Sequence, residues 1–300
     1  MNLDDLMFKP GLLNGHRILV TGGGTGLGKE MAEGCLALGA EVYICGRRGG
    51  VLQDAAKELM DRHGGKAHAI ACDIRVPEAI HEMMDEVWSG GALTGLINNA
   101  AGNFISRTED LSVRGFDAIA NIVFRGSFFV TLDAGKRWLK EKKQASVVSI
   151  LTTWVWSGGP FTVPSAMSKA GINVMTQSLA AEWGNRGVRL NAIAPGPFPT
   201  EGAWARLSPG TTTEQANAAR QTGSPLGRMG EMRELANLAI YLLHPLSEYV
   251  NGQTIAIDGG GWNAGSRGYN RLADWTDEQW EQARAAIRGA NEQDRAKRTV

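Results

Sequence analysis

Cysteine and histidine are scarce in this chain, and neither is arranged to hold a metal. The three cysteines (Cys35, Cys45 and Cys72) are odd in number and show no C-x-x-C or metal-ligand spacing. Each lies in or beside an apolar run, which fits buried, reduced thiols in a cytosolic protein rather than a disulfide framework. The five histidines are scattered without an H-E-x-x-H cluster, so no catalytic metal is expected. A surplus of either charge is also missing, since 31 basic residues balance 31 acidic ones. That balance argues against nucleic acid or any other broad electrostatic partner, and leaves room only for a local basic groove that takes a small anion. No run is apolar enough to span a bilayer, so no membrane partner is expected. The opening MNLDDLMFKPG carries acids and lacks a signal peptide's basic-then-apolar order.

What is present is an alternation of short apolar runs with longer segments of helical period. RILV (17–20), EVYIC (41–45), AHAIA (67–71), LTGLIN (93–98), ASVVSI (145–150), VRLNAIA (188–194) and TIAID (254–258) read as strands. Continuous β-branched runs of this kind suit parallel strands buried on both faces. Leu27, Met31, Cys35 and Leu38 recur at helical spacing between the first two, as do Ile172, Met175, Leu179 and Trp183 farther on. The expected fold is α/β: a single Rossmann-type doubly wound parallel sheet of about seven strands with helices on both faces. No repeat or linker interrupts residues 12–260, so residues 1–262 are expected to form one domain, with 263–300 as a C-terminal extension. In that extension Thr276 and Gln279 form a capping-box pattern, and Trp275 and Trp280 are placed as a hydrophobic staple. A short helix is expected through about Ile287, fading into the charged NEQDRAKRTV.

The segment ILVTGGGTGLGKEMAEGCLALGA puts a strand, a glycine loop and a helix in succession, with Gly22, Gly26 and Gly28 in the spacing G-x-x-x-G-x-G. Backbone without Cβ can approach a pyrophosphate closely, and the helix start offers it free N–H groups. Within a βαβ unit this spacing reads as a dinucleotide site. An NAD site usually ends the second strand with an acid for the ribose 2′-hydroxyl. This chain has Gly46 followed by Arg47 and Arg48, which favours the 2′-phosphate of NADP(H) over a pair of solvated arginines. Asp73 in ACDIR is a candidate acceptor for the adenine amino group, or a helix-start residue before Pro77.

PSAMSKAG (164–171) sets Ser165 one helical turn before Lys169. The pair by itself allows a lysine-activated nucleophile, a ribose-holding lysine, or a helix cap with a solvated lysine. A serine hydrolase finds no G-x-S-x-G elbow, and the spacing is one residue too long for S-x-x-K. TGGGTGLG, CDI, NNAAGN (98–103), S-x-x-x-K and NAIAPGP (191–197) stand together in one order, and that order resembles the short-chain dehydrogenase/reductases over nearly the whole chain apart from the tail. Within that family NNAAGNFIS, VPSAMSKAG, SLAAEWG and PGPFPTEGAWARL look most like the 2,4-dienoyl-CoA reductases.

The resemblance implies an NADPH-dependent reductase of a C=C bond in an enoyl- or 2,4-dienoyl-CoA thioester. The alternatives are a 3-ketoacyl or other carbonyl reductase, or a non-catalytic NADP(H)-binding relative. It places Thr25 and Leu27 in the glycine loop, Ile74 beside Asp73, and Asn99, Ala100 and Ala101 along the cofactor. Lys169 would hold the nicotinamide ribose, Pro195, Gly196 and Phe198 would border the nicotinamide, and Thr200 would bind its carboxamide or the diphosphate. Ser165 stands where most members carry the acid/base tyrosine. The dienoyl-CoA reductases carry a replacement tyrosine shortly after the fifth strand, where this chain reads TTWVWSGGP, and an asparagine before a helix glycine, where it has Arg125 before Gly126. Asn121, one turn earlier, is a candidate substitute. The catalytic candidates are therefore Ser165, Lys169, a hydroxyl from Thr152 or Thr153, and Arg125, acting as an oxyanion pocket. Trp154, Trp156, Phe161, Phe198 and Trp204 are expected to wall an acyl channel. Family members are often tetramers, and the apolar fourth and fifth helices would suit a homotetramer interface.

Overall fold

The computed structural model describes residues 1–200, 212, 214–215, 224–264, 272 and 274–296. Each expected strand forms: β1 Arg17–Thr21, β2 Glu41–Gly46, β3 Ala67–Ala71, β4 Gly95–Asn98, β5 Ala145–Ile150, β6 Val188–Pro195 and β7 Thr254–Ile257. They make one parallel sheet in the order β3-β2-β1-β4-β5-β6-β7. The order reverses between β1 and β4, which opens a crevice at the carboxyl ends of the strands where this architecture takes its ligands.

Successive strand residues face opposite sides, and each side has its own helix layer. Ile18, Val20, Val42 and Ile44 pack with α1 (Gly26–Ala37), α2 (Gly49–His63) and α8 (Met232–Leu243). Leu19, Cys45, Leu96 and Val147 pack with α3 (Pro77–Ser89), α5 (Ser127–Glu141) and α7 (Val163–Trp183). The three cysteines are buried and unpaired. Burial pushes their thiols up, to about 12 at Cys35 and about 11 at Cys72, so they are poor nucleophiles.

One expectation needs correction. Helix α4 (Val113–Ala120), a π-helical turn (Asn121–Gly126) and α5 run on as a single helix, Val113–Glu141, which is long and apolar enough by composition to cross a bilayer. One face of it serves the core: Val123, Val130, Ala134 and Trp138 are buried, and the Trp138 indole N–H donates to Leu93 O at 2.7 Å. Within the π turn Phe124 meets α7 at Gly171, where a Cβ would sit 2.6 Å from the ring.

The chain divides into two units, Met1–Trp262 and Asn263–Val300. The second holds α9 (Asp277–Ala296). Thr276 and Gln279 exchange hydrogen bonds of 2.9 and 3.3 Å across the helix start, and the Trp275 and Trp280 rings meet edge-on at 5.0 Å. This helix outruns the expected end near Ile287, because Glu, Gln, Arg and Ala in the charged stretch are good helix formers even without burial.

Candidate active site

The glycine loop joins β1 to α1 and is tied to the end of β4. Gly22 has φ +66° and Gly26 φ +55°, left-handed values that favour glycine. Gly28 is required by close approach, since a Cβ there would lie 2.4 Å from both Gly22 O and Asn99 Nδ2. Asn99 Nδ2 donates to Thr21 O (3.0 Å) and Gly22 O (3.2 Å), and the Thr21 hydroxyl accepts from the N–H groups of Asn99 and Ala100 (both 3.0 Å). Thr21 is fully buried and was not legible in the sequence; a single hydroxyl at a strand end makes no pattern. Thr25 is the N-cap residue of α1 but makes no capping hydrogen bond, so the first N–H groups of that helix lack a side-chain acceptor there. Leu27, in the first turn of the helix, packs on the core. Thr200 lies over the loop, with its Cγ2 3.7 Å from where a Gly26 Cβ would be. Residues at this cradle fit a dinucleotide pyrophosphate: it is lined by backbone, closed to side chains and placed at a helix N-terminus.

The neighbouring loops supply charge. Arg47 and Arg48 follow β2 and are exposed, and Arg47 has no hydrogen-bond or ion-pair partner among the described residues. Asp73 follows β3 and does not cap α3, which has Val76 at its N-cap. Both carboxylate oxygens of Asp73 are engaged by Arg75, through Nε (2.9 and 3.0 Å), Nη2 (2.5 Å) and the backbone N–H (3.1 Å). The Arg75 hydrogen bonds hold the Asp73 carboxyl below the usual carboxylate range. Ile74 is buried against Gly126. Arg125 is not brought to the reaction centre. Its Nη1 donates to Arg75 O (3.2 Å) and its guanidinium lies 5.1 Å over the Phe129 ring, which holds it on the β3 side. Asn121 opens the π turn, partly buried.

At the reaction end, Lys169 extends from α7 to the end of β5, where its ammonium donates to Ile150 O. The residue is 8% exposed, no carboxylate among the described residues pairs with it, and burial lowers its ammonium to about 8. Ser165 is buried one turn earlier on α7, and Thr152 and Thr153 follow β5 after Leu151. None of these three hydroxyls has a side-chain hydrogen bond among the described residues. Tyr43 is bound to Arg17 and Glu41, Tyr241 lines a groove with Met7 on α8, and Tyr249 is fully exposed. No described tyrosine therefore stands beside Lys169. Pro195 ends β6, Gly196 lies against Asp258, and Ala101 is exposed after β4.

The expected aromatic wall holds only in part. Phe198 is 4% exposed and fills the core against Gly230, so it offers no face to an acyl chain. On the short helix α6 (Trp154–Ser157), Trp154 packs against Gly159 and Trp156 pairs with Trp262 at 5.3 Å, while Phe161 is exposed. Trp262 was missed because nothing in the local sequence links the ends of β5 and β7. Trp204 lies outside the described residues.

A dinucleotide cradle, a buried lysine at the end of β5 and a seven-stranded parallel sheet define an oxidoreductase of the Rossmann type. A family model described as enoyl-(acyl carrier protein) reductase matches residues 22–261, and the chain belongs to the short-chain dehydrogenase/reductase family. It is 44% identical to an uncharacterized oxidoreductase of Caenorhabditis elegans over 284 residues, 93% of this chain and 90% of that one. A probable 2,4-dienoyl-CoA reductase of the same organism, producing (3E)-enoyl-CoA, is 41% identical over 287 residues, 94% of this chain and 93% of the relative. A solved Agrobacterium tumefaciens structure with bound NADP, provisionally named a 2-deoxy-d-gluconate 3-dehydrogenase, superposes with a TM-score of 0.75 at 31% identity, covering 85% of this chain and 100% of that one.

Proposed function

We propose that the protein uses NADPH to reduce a C=C bond conjugated to a CoA thioester, a 2,4-dienoyl- or 2-enoyl-CoA. The observation that carries this reading is a reaction end with a buried ammonium and free hydroxyls but no described tyrosine. When bound, NADPH supplies the hydride. Reducing a ketone makes an alkoxide that must be protonated as it forms, and a positioned acid contributes about 10²–10⁴-fold to such a step. A conjugated thioester spreads the incoming charge to its carbonyl oxygen, which neutral donors stabilise without giving up a proton. Ser165 and a Thr152 or Thr153 hydroxyl donate to that oxygen, Lys169 adds positive charge beneath it, and water protonates carbon. The dienoyl-CoA reductase relative and the enoyl reductase family model support this substrate class.

The test is NADPH consumption with a 2,4-dienoyl-CoA, a 2-enoyl-CoA and a 3-ketoacyl-CoA of equal chain length. The dienoyl or enoyl substrate is expected to react fastest; faster 3-hydroxyacyl formation would overturn the reading, and no reaction with any would favour a non-catalytic NADP(H)-binding role.

NADP(H) is the proposed cofactor, supported by the unpaired Arg47 and by the NADP-bound structural relative. Arg47→Ala is expected to weaken NADPH binding about ten- to a hundredfold and leave NADH binding unchanged, because a charge-assisted hydrogen bond carries that much affinity. Fluorescence titration with both cofactors checks it; equal wild-type affinities would contradict it. A homotetramer in the cytosol completes the proposal. The exposed Phe124 and Phe128 on the π turn and α5, with Met167 and Val174 on α7, support self-association. The three unpaired thiols support a reducing compartment.

A further inference from the structure

We infer that Trp156 and Trp262 together form an apolar platform for the acyl tail of the substrate and set its chain-length preference. This rests on the thioester reading above and adds a pair of residues that the lysine–hydroxyl centre does not involve.

The pair joins two segments that are far apart in sequence at one end of the sheet. Trp156 lies on α6 after β5, and its backbone N–H donates to Thr153 O at 3.1 Å. It therefore stands within one turn of the hydroxyls proposed to hold the thioester oxygen. Trp262 lies in the turn after β7. Its backbone N–H donates to Asp258 Oδ2 at 2.6 Å, and Oδ1 of that carboxylate accepts from the Gly260 N–H at 3.0 Å. Asp258 is packed in turn on the end of β6, where a Cβ at Gly196 would come within 2.7 Å of it. The two indoles meet with centroids 5.3 Å apart and planes at 36°. Because β6 runs between β5 and β7, the ends of those two strands are about 10 Å apart. The ring pair links them past the Pro195–Gly196 end of β6.

Position and chemistry both select the tail. The glycine cradle and Arg47 commit the ends of β1, β2 and β4 to the dinucleotide, and Lys169 and Ser165 commit the end of β5 to the reacting atoms. The β6–β7 side of the crevice is what remains for the rest of the substrate. The rings there carry no charge, and Asp258 beside them is a carboxylate, which disfavours the phosphates of CoA. An alkyl chain gains by covering such aromatic surface. Each tryptophan is 38% exposed, against 4% for Phe198, so the pair does more than close a core. Adjoining apolar surface left uncovered in this way marks a contact site.

The test compares 2,4-hexadienoyl-CoA with 2,4-dodecadienoyl-CoA on wild type, Trp262→Ala and Trp156→Ala, with NADPH saturating. Wild type is expected to favour the longer substrate about tenfold or more in kcat/KM, since each methylene the rings cover adds up to about fourfold. Either variant is expected to bring that preference below about threefold, through a higher KM for the longer substrate, because a contact remote from the reacting carbon acts on ground and transition states alike. The two substitutions lie on separate elements, so a folding defect in one leaves the other to decide. Circular dichroism and NADPH titration report the fold and the cradle. A loss equal at both chain lengths would place the rings against CoA rather than the tail, and would overturn the inference. A wild type without chain-length preference, or a preference that both variants retain or increase, would overturn it too. Each of those outcomes leaves thioester reduction standing. A wild type that reduces neither substrate, nor a 2-enoyl-CoA, would overturn the thioester reading and this inference with it.

Discussion

Replacing Lys169 by methionine is expected to lower turnover by on the order of 10²–10³-fold, the usual loss when one preorganised electrostatic group is removed from a reaction centre. NADPH affinity falls with it. The ammonium is buried beneath the end of β5 with one carbonyl as its partner among the described residues, so two of its three donors remain for ligand oxygens. Without ligand this is a costly arrangement, and the cost has a pH signature. Burial lowers Lys169 from 10.5 to about 8. Below pH 8 the group is charged in both folded and unfolded chains and the folded state carries the full desolvation cost. Between pH 8 and 10.5 only the unfolded chain binds the proton, so stability rises with pH over that window. The whole effect is roughly 3 kcal/mol, from about 1.4 kcal/mol per pKa unit. Melting curves of ligand-free wild type and Lys169→Met across this range are expected to converge or cross as pH rises; parallel curves with unaltered kinetics would place Lys169 on a solvated face.

Gly28→Ala is expected to abolish measurable NADPH binding, a loss of about 100-fold or more, while destabilising the fold by about 1–3 kcal/mol. The new methyl would meet Gly22 O and Asn99 Nδ2 at 2.4 Å. Neither can yield without moving the cradle, because Asn99 is what fixes the end of β1 and the start of the glycine loop to β4. Gly24→Ala is the control. Its Cβ would meet side chains alone, Leu52 Cδ2 at 3.1 Å and Val51 Cγ1 at 3.5 Å, and a side-chain methyl can rotate away. Affinity within about threefold of wild type is expected there. Equal losses at both positions would mean that the loop tolerates no Cβ anywhere and that the Asn99 bridge is not the constraint.

Much of the fold was legible because its signals are local. Seven β-branched runs, each near the length of a strand and separated by helical periods, specify a parallel sheet almost independently of one another. The capping box at Thr276 and the glycine loop are likewise written within a few residues. What escaped is tertiary. Thr21 ties two strands together through a hydroxyl that resembles any other threonine. The π turn at Asn121–Gly126 carries a contact between Phe124 and Gly171, 47 positions away. Arg125, in the same turn, is bound to the Arg75 carbonyl. The Asp73–Arg75 fork escaped for a different reason: Asp73 read singly suggests an adenine acceptor or a helix start, and nothing in the sequence marks Arg75 as its partner. Phe198 was misplaced because an aromatic next to a proline–glycine turn reads equally as a ligand wall or as core, and only Gly230, opposite, decides it.

The central claim is that hydride enters a conjugated carbon and that the accompanying solvent-derived proton ends on carbon rather than on a carbonyl oxygen. The most direct measurement offers equimolar 2,4-dienoyl-CoA and 3-ketoacyl-CoA to the enzyme and NADPH in one D₂O solution, with products analysed by mass spectrometry at early times. The account predicts an enoyl-CoA product carrying one carbon-bound solvent deuterium that survives transfer to H₂O, with the ketoacyl substrate largely unconsumed. A 3-hydroxyacyl-CoA product forming faster than the enoyl-CoA would contradict it and would require an acid beside Lys169.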